Sequence, residues 1–501
     1  MNRHSRRAAP GAGRDAPARR RAGGHDDGVT TPEFVSADPD SHAALRAATA
    51  AVVEALARTA SLPGPRTPLL PAELAALADA LDPCPDEGAP LERVLQDVDG
   101  VLAGGIRVPD AGYVAHLHPP PLIAAAASEL AVAVTNQSQD AFDGSPAGTY
   151  VEDRLVRWLA RLHGLGAEGS GVMTMGGTAS NLLGLLLARD RAGEHVRRDG
   201  LPPDHRTWRI VASDSSHDSV RRSAALLGLG LNAVAEVETD ARGAMDVAAL
   251  DARLEELRAA GLRPIAFVGT AGTTDLGAID PLEALADRAQ KLGAWLHVDA
   301  AVGSGLTLSP ALRGRLRGIE RADSVTCDLH KLWWQPFPAS ALLVPGVERL
   351  RAVHHASVYL NRPEDEAEGQ LNLVGRSLDT SRRFDALKVL IALRATGRRR
   401  LAELVERCVG LAAHGAAAVR ARPALELVAE PSTVMVCFRI RGEDALNTRV
   451  QRELFASGEA VLGRTRVRGA VVLKLTLVNP LIEPAQIDAL LDRVVSASAA
   501  V

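Results

Sequence analysis

Short apolar runs alternate with amphipathic stretches through the middle of the chain. Runs at 209–213 (RIVAS), 265–269 (IAFVG), 294–298, 324–327 and 341–344 (ALLV) each read as a buried strand. The longer mixed segments between them read as helices. Together they predict an α/β fold: a mostly parallel sheet with helices on both faces. Three helical patterns precede this region, at 41–57, from near Glu73 after Pro71, and over 91–102. Beyond about Gly397 comes a helix, a run at 433–440 (TVMVCFRI), another helix and a run at 471–480 (VVLKLTLVNP), which predict a small α/β domain. Within the last run Lys474 alternates with the apolar face and reads as solvated. The chain therefore divides into a disordered tail (1–40), an N-terminal helical segment (41–111), a large domain (112–396) and a small C-terminal domain (397–501).

Composition narrows the class. Of 501 residues, 47% are hydrophobic and 24% charged, as in ordinary globular chains long enough for more than one subdomain. A net charge of -4 and the lack of a basic patch interleaved with aromatics argue against a nucleic-acid partner. No run of about twenty apolar residues argues for a membrane span. Cys84, Cys327, Cys408 and Cys437 are scattered, without a CxxC pair or metal-ligand spacing, which fits a reducing, cytoplasmic setting. Arg6 and Arg7 are not followed by an apolar stretch, so an export signal is not expected.

The chemistry concentrates in residues 323–344. There Lys331 follows His330 just past a strand end, amid Leu, Trp and Phe. A lysine in such company either snorkels to water or serves as a nucleophile toward a cofactor aldehyde. Upstream, Asp299 falls at the C-terminal end of a strand, where open α/β sheets place ligands. A pyridoxal phosphate site needs both groups, a carboxylate to keep the pyridine nitrogen protonated and a lysine to carry the aldehyde. Ala300 and Ala301 are small enough to admit the flat face of a ring. Residues 171–189 (GVMTMGGTASNLLGLLLAR) place Gly177 and Thr178 at a helix start, which suits a phosphate. A plain helix cap would also explain Thr178. His116 and His118 could bind a metal, but no third ligand has suitable spacing, which leaves a structural or pocket-lining role.

With Asp299, Ala300, Ala301, His330 and Lys331 in this order, residues 112–480 resemble the pyridoxal-phosphate-dependent amino-acid decarboxylases of the aspartate-aminotransferase fold type. That family includes glutamate, aromatic-amino-acid and diaminobutyrate decarboxylases. The resemblance implies that His217 stacks on the cofactor ring and Thr274 helps position Asp299. It also implies that His330 and Ala301 line the cofactor and that Tyr359, on a long polar segment at 354–380, returns a proton to Cα. Phenylalanine in place of that tyrosine is associated with oxidative, aldehyde-forming relatives. Asp328 stands where aromatic-amino-acid decarboxylases carry Asn. The N-terminal helices imply a homodimer with the active site at the subunit interface.

The segments around HLH (116–118), NQS (136–138) and SLDTSRRFDALK (377–388) resemble the diaminobutyrate and lysine branch. That implies a basic substrate, with His118 lining its pocket and Asp143 as counter-ion. Phe142, Asp143, Gly144, Ser145 and Pro146 replace the Trp-Asp-Gln-Ser-Pro common in that branch, which reshapes the pocket. An aromatic or acidic substrate, or oxidase chemistry on the same fold, stays open at this point.

Overall fold

The structure, a computed structural model, describes residues 33–193, 195–354 and 363–500. Residues before 55 form a unit of their own. In it Ser41 Oγ accepts from the Ser36 N–H at 2.9 Å and donates to the Phe34 carbonyl at 3.1 Å, where the helix Pro39–Ala60 begins. Residues 355–362, which include Tyr359, lie outside the described residues, as do residues 1–32 of the expected tail.

In chain order the strands are β1 (Tyr113–Val114), β2 (Ser170–Thr174), β3 (Trp208–Ser213), β4 (Val234–Val237), β5 (Arg263–Thr270), β6 (Trp295–Asp299), β7 (Ser324–Asp328), β8 (Ser340–Val344), β9 (Leu425–Leu427), β10 (Met435–Ile440), β11 (Val461–Val467) and β12 (Ala470–Thr476). Seven form one sheet, in the order β2-β8-β7-β6-β5-β3-β4. Only β8 runs against its neighbours. Successive residues of a strand feed opposite faces, and both faces are covered. Val211, Phe267, Val298 and Leu343 enter one apolar core, and Ile210, Val268, Trp295 and Leu342 the other. That double burial is why these strands read as unbroken apolar runs.

Parallel register brings the C-terminal ends of β3, β5, β6 and β7 to one edge, with Thr270 opposite Asp299 and Asp299 opposite Thr326. The helix Gly177–Ala192 starts just beyond the end of β2. The polar residues at these strand ends therefore face a common space.

The second sheet has the order β1-β11-β12-β10-β9. Tyr113–Val114, assigned by sequence to the large domain, pairs with Val461 and Leu462 of this C-terminal sheet. The helix expected over 91–102 is two, Leu91–Asp97 and Asp99–Gly104. Lys474 corrects another expectation. It is 8% exposed, because β12 lies between two other strands and neither of its faces is free. No described helix is long and apolar enough to cross a membrane.

Candidate active site

The polar edge of the large sheet encloses a cavity of about 540 Å³, lined among others by Gly177, Thr178, Asn181, His217, Thr270, Thr274, Asp299, Ala301, Asp328, His330 and Lys331. Sequence reading thus placed eight residues that the fold brings together here: Gly177, Thr178, His217, Thr274, Asp299, Ala301, His330 and Lys331.

Asp299 closes β6 and is 6% exposed. One carboxylate oxygen accepts from Asn181 Nδ2 at 2.8 Å, the other from the Ala301 N–H at 3.1 Å. Among the described residues its hydrogen bonds do not come from Thr274, the partner expected from the family resemblance. Thr274 lines the cavity, and its carbonyl accepts from Lys474 Nζ at 2.8 Å.

Asn181 is the residue that sequence reasoning missed. Its Nδ2 also donates to Ser219 Oγ at 2.9 Å, while its Oδ1 accepts from Thr326 Oγ1 at 2.6 Å and from His297 Nε2 at 3.0 Å. Every hydrogen-bonding position of the amide is thereby filled. His297 Nδ1 then accepts from Ser324 Oγ at 2.8 Å, and burial pushes this imidazole down to about 4, so it stays neutral. The network also fixes His217. Ser219 Oγ, accepting from Asn181, donates to His217 Nδ1 at 2.7 Å, and the Ser219 N–H points to the same nitrogen at 3.2 Å. With Nδ1 an acceptor, the ring proton of His217 sits on Nε2.

On the other side of the cavity, Lys331 Nζ pairs with Asp328 Oδ2 at 3.0 Å. Ser340 Oγ donates to Asp328 Oδ1 at 2.6 Å, and His330 Nε2 stands 3.6 Å from Oδ2. A side chain on Gly177 would place its Cβ 2.9 and 3.0 Å from the two Asp328 oxygens, so this glycine also makes room for that carboxylate. Gly176, at φ 140°, is the position whose backbone itself demands glycine. Cys327 is buried and its thiol is pushed up to about 12, which removes it as a nucleophile.

The Phe337 ring tilts against His330 at 4.2 Å and meets His118 edge-on at 5.0 Å. It lines both the main cavity and a second one of about 430 Å³ that holds His118, Gln335 and Pro336. His118 Nδ1 lies 3.3 Å from Tyr113 Oη. Burial, then His116 and Lys331, lower its pKa below the ordinary value. No group of metal-ligating side chains gathers here or elsewhere among the described residues. Asp143 is exposed in the turn Phe142–Gly144 and does not line the cavity of its own chain.

These residues fit pyridoxal phosphate. The first N–H groups of the helix Gly177–Ala192 lack intrahelical acceptors and open on the cavity, as a phosphate requires. A buried carboxylate and an amine border the same space, and Thr270 Oγ1 is buried there without a partner. Fold and donor set define a pyridoxal phosphate enzyme.

Similarity to known proteins narrows the class: the chain belongs to the pyridoxal-dependent decarboxylases, whose conserved-domain model matches residues 71–441. It is accordingly a carboxy-lyase acting on an amino acid. It is 40% identical over 429 residues to an L-2,4-diaminobutyrate decarboxylase of Rhizobium meliloti (strain 1021), covering 84% of this chain and 85% of that one. Identity to the enzyme of the same name from Acinetobacter baumannii is 37% over 430 residues, covering 82% and 84%. A crystal structure of the glutamate decarboxylase domain of diaminobutyrate-pyruvate transaminase and L-2,4-diaminobutyrate decarboxylase from Vibrio parahaemolyticus superposes with a TM-score of 0.86 at 35% identity. That match covers 93% of this chain and 98% of the other.

Proposed function

We propose that the chain decarboxylates a basic L-amino acid, 2,4-diaminobutyrate or lysine, to the corresponding diamine, acting as a cytoplasmic homodimer. The carrying observation is the pairing, in one cavity, of a buried carboxylate fixed by Asn181 with the amine of Lys331. When bound, pyridoxal phosphate would supply the electron sink that decarboxylation needs. Lys331 holds the cofactor. Asp299, kept in place by Asn181 and Ala301, holds the proton on the ring nitrogen. Gly177 and Thr178 would offer N–H groups to the phosphate, Ala301 would leave room for the ring, and His217 would stack on it. Tyr359 returns the proton to Cα.

The names of the relatives support the basic substrate, and the second cavity beyond Phe337 supports where its side chain goes. A neutral His118 accepts a hydrogen bond from an ammonium where a charged imidazole would repel it. Asp143, outside the cavity of its own chain, acts as counter-ion only across the dimer interface. The test is product analysis with the purified, cofactor-loaded protein. Amine and carbon dioxide in equal amounts from a diamino acid support the reading. Peroxide with aldehyde, or turnover only of aromatic or acidic amino acids, would overturn it.

A further inference from the structure

Lysine is scarce in this chain: of 57 lysine and arginine residues, only Lys291, Lys331, Lys388 and Lys474 are lysines. A sequence that uses arginine almost wherever a cation is needed keeps lysine where a guanidinium does not serve. Lys291 is exposed on the last turn of a helix and has no evident demand for an ammonium. Of the other three, Lys331 lines the cavity, while Lys388 and Lys474 contact the backbone of segments that line it.

Lys388 is completely buried. Its Nζ meets Glu129 Oε1 at 2.6 Å, Asp385 Oδ1 at 3.0 Å and the Pro338 carbonyl at 2.9 Å. Pro338 directly follows Phe337, the ring shared by the two cavities. Lys474 Nζ donates to the Thr274 carbonyl at 2.8 Å and faces Asp275 Oδ1 at 3.4 Å, and Asp275 Oδ2 is held by Thr465 Oγ1 at 2.9 Å. Its slot is tight, since a Cβ on Gly463 would come within 3.0 Å of Lys474 Cε. Both lysines thus grip a backbone carbonyl of a cavity-lining loop with the ammonium while a carboxylate balances the charge. A compact ammonium has three donors to divide among such partners. A planar guanidinium is broader and presents its donors in a fixed fork.

We propose that Lys388 and Lys474 are positioning residues of the decarboxylase site, clamping the loops that carry Phe337 and Thr274 respectively. The proposal rests on the cofactor site described above, and that reading is checked separately. Borohydride reduction of the wild-type holoenzyme followed by peptide mapping must place the cofactor on the Lys331 peptide, and a label elsewhere sinks the site reading whatever the variants do.

The clamp itself is tested on holoenzyme carrying Lys388→Arg, Lys474→Arg or, as control, Lys291→Arg. Cofactor dissociation constant, visible circular dichroism of bound cofactor, KM and kcat are measured well below the melting temperature. Lys474→Arg is expected to weaken cofactor binding about tenfold and to diminish the dichroic band. Lys388→Arg is expected to raise KM about tenfold while cofactor affinity holds. Lys291→Arg should match wild type. If either clamp variant does not fold, Asp275→Asn and Glu129→Gln, which keep the lysine and weaken its carboxylate partner, should shift the same quantities about threefold in the same directions. Clamp variants that lose only melting temperature, with binding, dichroism and KM unchanged, would show that the lysines serve stability alone and overturn the proposal.

Discussion

The two sides of the cofactor cavity are built on opposite principles. Beneath Asp299 lies a floor of mostly neutral hydrogen bonds, Asn181, His297, Thr326, Ser324 and Ser219, in which the Asn181 amide is saturated. Around Lys331 stands a wall made of its ion pair with Asp328, beside His330, whose pKa burial lowers, and flanked by the half-exposed Phe337 ring. A network of satisfied neutral donors has one arrangement and resists change. An ion pair can exchange partners, as the proposed role of Lys331 in binding and releasing the cofactor requires. On the proposed function, the floor holds a proton location constant and the wall permits an amine to move.

The strongest way to break this contrast is Lys331→Ala. Decarboxylation should fall by at least about 10⁴-fold, and borohydride should no longer fix cofactor to the protein, as read by carbon dioxide release and intact mass. Asp299→Asn removes the charge but keeps the shape of the floor. It should lower kcat by about 10²- to 10³-fold with a smaller effect on KM, measured by steady-state kinetics. Asn181→Leu leaves Asp299, His297 and Thr326 short of partners. An effect of about 10- to 100-fold on kcat is expected, with a drop in melting temperature of several degrees by calorimetry. Asp328→Asn, on the adaptable wall, should cost less, about tenfold in kcat/KM, and an effect larger than that of Asn181→Leu would invert the proposed division of labour.

The smallest effect sharpens the floor's neutrality. His297 has a folded value of about 4 against an ordinary 6.5, so the stability tied to its neutral form is complete above pH 6.5 and is lost as pH falls toward 4. That amounts to about 2 kcal/mol by pH 5. His163, also buried and lowered to about 4, adds a loss of the same sign, while Asp280, pushed up to about 6 by burial, takes up its proton in the folded state and works the other way. Denaturant titrations at pH 7.5 and 5 should show the loss in wild type and a flatter acid limb in His297→Asn.

Much of this was legible from residue order alone. Buried strands announce themselves as apolar runs, and Asp299 and Lys331 stand at strand ends where a carboxylate and an amine need a reason to be. Asn181 was not legible, because an Asn one turn into a helix looks like any polar residue until the sheet beneath supplies His297 and Thr326. Lys474 was misread because its alternation implies solvent only if one face of the strand is free, and strand order is a long-range property. The pairing of Tyr113 and Val114 with Val461 and Leu462 joins residues almost 350 positions apart. No local pattern reports it.

The scarcity of lysine also has a practical side. Lys291 sits at the end of the helix Leu282–Leu292, which leads into the start of β6, so it lies at the edge of the sheet opposite the cavity. Of the four lysine side chains it alone is exposed. An amine-directed linker attached there would hold the enzyme by its far edge, leaving the cavity mouth facing the solution.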